Sequence, residues 1–241
     1  MSTFVLVPGF WLGAWAWQDV TTALRAAGHE VHPLTLTGLA DRAHLIGPEV
    51  GLETHTTDIV RLIETMDLHD VVLVGHSGGG LPVTQAADRI PDRVARVVYV
   101  DSAPLPDGVS QLDTNPPQEQ ERVRSLISDA ELPPPAWDPT ADPENLAGLD
   151  DATLTLLRAR ATPQPLRTAT DPVRRTGGRA VPTSLIACTF PLDVVRAMIA
   201  QGAPMFAELG GADLYGLPTG HWPMFSEPKR LAELLDSIVT A

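Results

Sequence analysis

Short apolar runs alternate along the chain with longer segments whose apolar residues recur at helical spacing. Phe4-Val5-Leu6-Val7 is the first run, apolar at every position as a strand covered on both faces requires. It stops at Pro8-Gly9, and Ala14-Trp15-Ala16-Trp17 then leads into Val20, Leu24 and Ala27 at helical spacing, with Gly28 as the terminator. Residues 30–36 read as a second strand, and a polar loop with three glycines and a proline covers 37–52. Ile59, Leu62 and Ile63 mark one face of a helix predicted over 54–66. Val71-Val72-Leu73-Val74 is the third strand, a helix follows to Arg89, and Arg96-Val97-Val98-Tyr99-Val100 is the fourth strand, ending at Asp101-Ser102. A β-α-β-α-β-α-β order predicts an α/β fold with a parallel sheet and right-handed crossovers.

The pattern breaks at Ala103. Residues 104–181 are rich in proline and acidic side chains, include Pro133-Pro134-Pro135, and offer only short helices such as 152–161. The βα series then resumes with a strand at 183–189, a helix at 194–200, a weaker strand at 212–217 and a final helix at 228–239. That last helix carries Leu231, Leu234, Leu235 and Ile238 on one face. Linkers seldom interrupt such a series and let it resume, so 104–181 is expected to be a mostly helical cap inserted over the active edge of one domain spanning 1–241. The marginal hydrophobicity of 212–217 suits a sheet edge.

Charge and composition narrow the partners. A net charge of −13 opposes binding to phosphate backbones or anionic membrane surfaces and suits a neutral or cationic ligand. The single cysteine, Cys188, excludes an intrachain disulfide and any multi-cysteine metal site. Its place at the end of a β-like run suits a buried structural thiol. No charged n-region with a long apolar stretch opens the chain and no window is long enough to span a membrane, so the expectation is cytoplasmic. The histidines show no metal-ligand spacing, and neither metal nor cofactor is implied.

The chemistry centres on Gly75-His76-Ser77-Gly78-Gly79-Gly80. A G-x-S-x-G serine between a buried strand and a helix is the nucleophile-elbow arrangement, in which a tight turn presents the hydroxyl. Glycine and serine are common in idle turns, but the strand-turn-helix context favours Ser77 as nucleophile. Of seven histidines only His221 lies downstream of the elbow, in a loop after the last strand where function collects in open α/β sheets. It is the expected base; His76, beside Ser77 in sequence, should point away and serve packing. Two aspartates at strand ends compete for the acid. Asp193 is preferred to Asp101 because its strand is nearest that of His221, although Asp193 could equally cap the helix at Val194. The backbone N–H groups of Gly78 and Phe10 are the natural donors to an oxyanion. Trp11 and Trp222 are candidate substrate contacts, although large apolar residues more often belong to the core.

These features together resemble the α/β-hydrolase superfamily along nearly the whole chain. The opening Phe4-Val5-Leu6-Val7-Pro8-Gly9-Phe10-Trp11-Leu12-Gly13-Ala14-Trp15 looks like that of the group containing plant methylesterases and hydroxynitrile lyases, and the stretches Leu36-Thr37-Gly38-Leu39 and Glu53-Thr54-His55 are similar to it too. The resemblance implies a six-stranded parallel core, a Ser-His-Asp triad and an inserted cap. Three departures stand out. The group's histidine before glycine is Pro8 here. The lyase branch has threonine where this chain has Gly9, and lysine where it has Trp222. Without a cation for a leaving cyanide, the resemblance favours an esterase whose small-molecule substrate is a small, largely apolar ester over a lyase, a cyclase, an acyltransferase or a vestigial ligand-binding protein. Finally, Phe190 and Pro191 occupy the ground where the group usually places its acid.

Overall fold

A computed structural model describes residues 1–125, 130–178 and 180–240. The first half contains β1 (Thr3–Val7), α1 (Gln18–Ala26), β2 (Glu30–Pro33), α2 (Leu52–Thr65), β3 (Val71–His76), α3 (Gly80–Arg89) and β4 (Val94–Val100). An inserted stretch holds α4 (Pro117–Ser125), β5 (Glu131–Leu132), α5 (Asp151–Arg160), β6 (Gln164–Pro165) and α6 (Arg167–Thr170). The chain closes with β7 (Thr183–Ala187), α7 (Leu192–Ala200), β8 (Asp213–Gly216), α8 (Pro223–Ser226) and α9 (Pro228–Thr240).

Six strands form one parallel sheet in the order β2-β1-β3-β4-β7-β8. Strand residues alternate between two cores. Phe4, Leu6, Val72, Val74, Val98 and Ile186 face α1 and α9. Val5, Val7, Leu73, Val97, Tyr99 and Leu185 face α2, α3 and α7. Both sheet faces are therefore dry, which is why the strands read as unbroken apolar runs. Full burial of an anchor such as Leu24, Leu231 or Leu235 contributes about 1.5–3 kcal/mol.

The order of the strands positions the site. From β1 the chain steps outward to β2, then returns to pair β3 on the other side of β1. That reversal opens a crevice at the carboxyl ends of β1 and β3, where open α/β sheets hold ligands. The residues after β1 and β3 are Pro8-Gly9-Phe10-Trp11 and the serine elbow.

Several boundaries differ from the sequence expectation. The second strand ends at Pro33 rather than residue 36, and the loop after it contains a 3-10 helix at Ala40–Leu45. The strand expected to reach residue 189 stops at Ala187 because the next two N–H groups, of Cys188 and Thr189, turn to the Asp101 carboxylate. β8 lies at the sheet edge, as its weak hydrophobicity suggested.

The stretch expected as a cap, 104–181, includes residues 126–129 and 179, which lie outside the described residues. Its described part pairs β5 with β6 antiparallel and sends Trp137, Leu146, Leu154 and Leu157 into the core beside Trp222. Among the described residues, no helix is long and apolar enough to cross a membrane, and no group of three or more His, Cys, Asp or Glu side chains is placed to hold a metal ion.

Candidate active site

Ser77 leaves the end of β3 with φ +49°, in the left-handed region that a side chain disfavours. The elbow can be this tight because its neighbours lack Cβ atoms. A Cβ on Gly79 would lie 2.4 Å from the Pro8 carbonyl oxygen, and one on Gly75 would lie 3.0 Å from both the Gly79 oxygen and Val83. Ser102 Oγ donates to the Ser77 carbonyl at 2.6 Å and ties the turn to the chain after β4.

Register places Asp101 beside Ser77. His76 pairs with Val100 across β3 and β4, so the next residue on each strand emerges at the same level, and Asp101 too is left-handed, with φ +45°. Non-glycine residues held in this region carry strain, and they cluster at functional sites.

His221 joins the two. Its Nε2 lies 2.8 Å from Ser77 Oγ and its Nδ1 2.6 Å from Asp101 Oδ2. The other Asp101 oxygen accepts the N–H groups of Cys188 and Thr189, each at 3.0 Å, and the Thr189 hydroxyl lies between the two oxygens, 2.9 Å from Oδ2 and 3.1 Å from Oδ1. Burial works to raise the Asp101 pKa. The hydrogen bond and charge of His221 and the two backbone N–H groups outweigh it and hold the carboxyl below its usual range. An ionised Asp101 only accepts, so Nδ1 carries the imidazole proton and Nε2 is left to accept from the serine hydroxyl.

The aspartate that meets His221 is thus Asp101, not Asp193. Asp193 is exposed in the first turn of α7, where a carboxylate favours the positive end of the helix dipole. The preference for Asp193 rested on the nearness of β7 to β8. That nearness holds, but the turn after β7 carries Asp193 away from the cleft, whereas β4 sits directly between β3 and β7. The sequence did hold a signal: Asp101 follows a buried strand without a spacer, as Ser77 follows the motif's strand, while Phe190 and Pro191 stand between β7 and Asp193.

His76 faces away from Ser77. Its Nε2 donates to the His221 carbonyl at 2.7 Å, and its ring packs against Trp222 at 5.2 Å between centroids. Burial, then the nearby His221 charge, push its pKa down to about 3 against the opposing pull of that carbonyl and of Asp101. The ring is therefore neutral and holds the His221 backbone from behind. His55, buried under the Thr37 carbonyl at 2.8 Å, is likewise pushed down by burial, to about 4.

Both histidines bind a proton more readily in the unfolded chain, whose ordinary value is 6.5. Stability should therefore fall as pH drops from 6.5 towards 4 for His55 and towards 3 for His76, by about 1.4 kcal/mol per pH unit for each. Urea midpoints measured from pH 7 to 4.5 should drop accordingly, with a shallower decline in His55→Gln. A flat profile would contradict this assignment.

The Phe10 ring covers the elbow closely enough that a Cβ on Gly78 would come within 2.3 Å of it. Above, the cleft divides at Ser77 and His221 into a 410 Å³ lobe beside Asp101, Phe190 and Phe206 and a 610 Å³ lobe walled by Phe10, Trp11, Pro133, Trp137 and Trp222. Gln111, Asn115 and Asn145 of the inserted stretch border both lobes. The Asn145 carbonyl also accepts the His221 N–H at 2.8 Å, an approach that Gly220 permits because a Cβ there would lie 2.5 Å from that oxygen. Cys188 is a buried thiol whose pKa is pushed up by burial and by the Asp101 charge, which keeps it protonated.

A parallel sheet covered on both faces, with a serine elbow after its third strand, defines the α/β-hydrolase class. Residues 4–234 match the model of the Alpha/beta hydrolase family, and the chain belongs to that family. It is 50% identical over 102 residues to a carbendazim hydrolyzing esterase from Nocardioides sp. (strain SG-4G); the match spans 42% of each chain, less than half of that esterase's length. It is 28% identical to Methylesterase 7 from Arabidopsis thaliana over 96% of this chain and 94% of the relative. Among solved structures, an extracellular alpha/beta-hydrolase from a Paenibacillus species shares the fold with a TM-score of 0.82, at 24% identity and 98% coverage of both chains.

Proposed function

We propose that the protein is a carboxylic ester hydrolase acting on a small, largely apolar ester through Ser77, His221 and Asp101. The observation that carries this reading is the hydrogen-bonded series from Ser77 Oγ through His221 to Asp101 at the floor of a cavity. The relatives named esterases and methylesterases support it.

Ser77 Oγ attacks the ester carbonyl carbon as its proton passes to His221 Nε2. The imidazolium is stabilised by Asp101, which stays ionised. The Phe10 and Gly78 N–H groups receive the negative charge that develops on the carbonyl oxygen, each donor contributing about 3 kcal/mol. Collapse of the tetrahedral intermediate breaks the bond to the alkoxy oxygen, and His221 returns the proton to the departing alcohol. Water, deprotonated by His221, then attacks the acyl-enzyme by the same path and regenerates Ser77. The stretch 104–181 acts as a cap that walls the cleft, and Trp11 and Trp222 line its larger lobe.

Incubation with p-nitrophenyl acetate and with a serine-directed phosphonate tests the proposal. Turnover is expected, together with a single covalent adduct that peptide mass analysis locates on Ser77. Absence of both would overturn it.

A further inference from the structure

Trp11, the residue after the proposed donor Phe10, is held in a conformation its own chemistry disfavours. Its φ is +67°, a left-handed value that is an outlier for a bulky side chain. Such a conformation persists only where surrounding contacts over-determine it, and here three hydrogen bonds come from the inserted stretch. The Trp11 N–H donates to the side-chain carbonyl of Gln164 at 2.8 Å. Its carbonyl accepts the Thr162 N–H at 3.0 Å. Its indole N–H donates to the Leu132 carbonyl at 3.2 Å.

Leu132 and Gln164 face each other across the β5–β6 ribbon, so one register pair grips both the side chain and the backbone of Trp11. Gln164 is itself fixed. It is 1% exposed, its amide nitrogen donates to Thr168 Oγ1 at 2.7 Å, and that hydroxyl donates to the Pro165 carbonyl at 2.6 Å. Every polar atom of this series has a partner, which sets the amide's orientation: oxygen towards Trp11, nitrogen towards Thr168.

We propose that Gln164 is a positioning residue for the oxyanion hole: by accepting the Trp11 N–H it holds the left-handed turn that aims the Phe10 N–H at the carbonyl oxygen of a substrate on Ser77. The proposal rests on the hydrolase reading above. The Trp11 N–H belongs to the Phe10–Trp11 peptide, a rigid plane next along the chain from the Gly9–Phe10 peptide that carries the donor. Holding that plane through Gln164 anchors the chain on the far side of Phe10 and limits how the donor can turn. A misplacement of about 1 Å at such a donor lowers turnover about 10²-fold. Without Gln164 the Trp11 N–H would also lose its partner at a half-buried position, an incentive for the turn to relax. The larger lobe is walled by Leu132 and the residues that follow it, so the same ribbon shapes the pocket and aims the donor.

The test compares Gln164→Met, which keeps size and loses the acceptor, with Gln164→Glu, which keeps an acceptor towards Trp11. Steady-state kinetics with p-nitrophenyl acetate are joined by binding of a boronic acid, whose tetrahedral adduct on serine places an oxygen in the hole. For Gln164→Met, kcat should fall about 10²-fold with KM within about twofold, and boronate affinity should fall in parallel. Gln164→Glu should recover most of both. Wild-type turnover with Gln164→Met within twofold of it in kcat overturns the proposal, as does an equal loss in both variants that follows their melting temperatures. Wild-type protein that neither turns over the ester nor binds the boronate overturns the hydrolase reading and this proposal with it.

Discussion

Asp101→Asn is expected to lower kcat for p-nitrophenyl acetate by about 10⁴-fold, the loss seen when a triad aspartate is amidated elsewhere, while Asp193→Asn leaves kcat within about twofold. The size follows from the geometry. Asp101 Oδ1 accepts two backbone N–H groups, so an asparagine will set its carbonyl oxygen there and turn its NH₂ towards His221. That NH₂ donates, and His221 must accept it on Nδ1. The imidazole proton then moves to Nε2, the atom that has to take the proton of Ser77. The base is present but in the wrong tautomer. Folding should be little affected, because the amide keeps the bonds to Cys188 and Thr189; near-wild-type melting alongside lost turnover separates this from simple unfolding. The opposite result, activity lost in Asp193→Asn and retained in Asp101→Asn, would refute the assignment.

Ser77→Ala should reduce kcat further, by about 10⁶-fold, and abolish the phosphonate adduct, since no other hydroxyl lies within reach of His221 Nε2 among the described contacts. Paired with Ser77→Gly it also measures the strain at the elbow. Both variants lack the hydroxyl, and they differ in whether a Cβ must be held at φ +49°. A left-handed residue with a Cβ costs about 1–2 kcal/mol more than glycine there, less glycine's own entropic cost of about 0.5–1 kcal/mol. Ser77→Gly is therefore expected to show a urea midpoint above that of Ser77→Ala, with both inactive. A Ser77→Gly midpoint below that of Ser77→Ala would mean that the turn is not strained, because only the entropic cost of glycine would then remain, and adduct formation in either variant would remove Ser77 as the nucleophile.

Much of the site was legible because it follows from local rules. A short unbroken apolar run bounded by turn residues reads as a strand buried on both faces. A serine between glycines at its end can only sit on a sharp turn, and Ser77 does. His221 was found by chain order and by its place after the last strand. The glycine-rich turn and the Phe10 loop met as expected at the crevice between β1 and β3, with the Phe10 ring resting on Gly78. Asp193 misled because it, like Asp101, stands after a predicted strand, and sequence distance does not say which strand end lies below His221. The grip of Gln164 on Trp11 joins residues 153 positions apart, and no periodicity encodes such a pairing.

By itself, then, the sequence determined the order of strands and helices, the elbow at Ser77 and the candidacy of His221, since each depends on hydrophobic spacing or turn chemistry within a few residues. Only the tertiary structure showed which aspartate meets His221. The β3–β4 register brings Asp101 out level with Ser77, and the bonds from Cys188 and Thr189 turn its carboxylate to His221. The tertiary structure also decided how the loop after β1 is held, because the N–H, carbonyl and indole of the left-handed Trp11 find their partners in Gln164, Thr162 and Leu132, far along the chain.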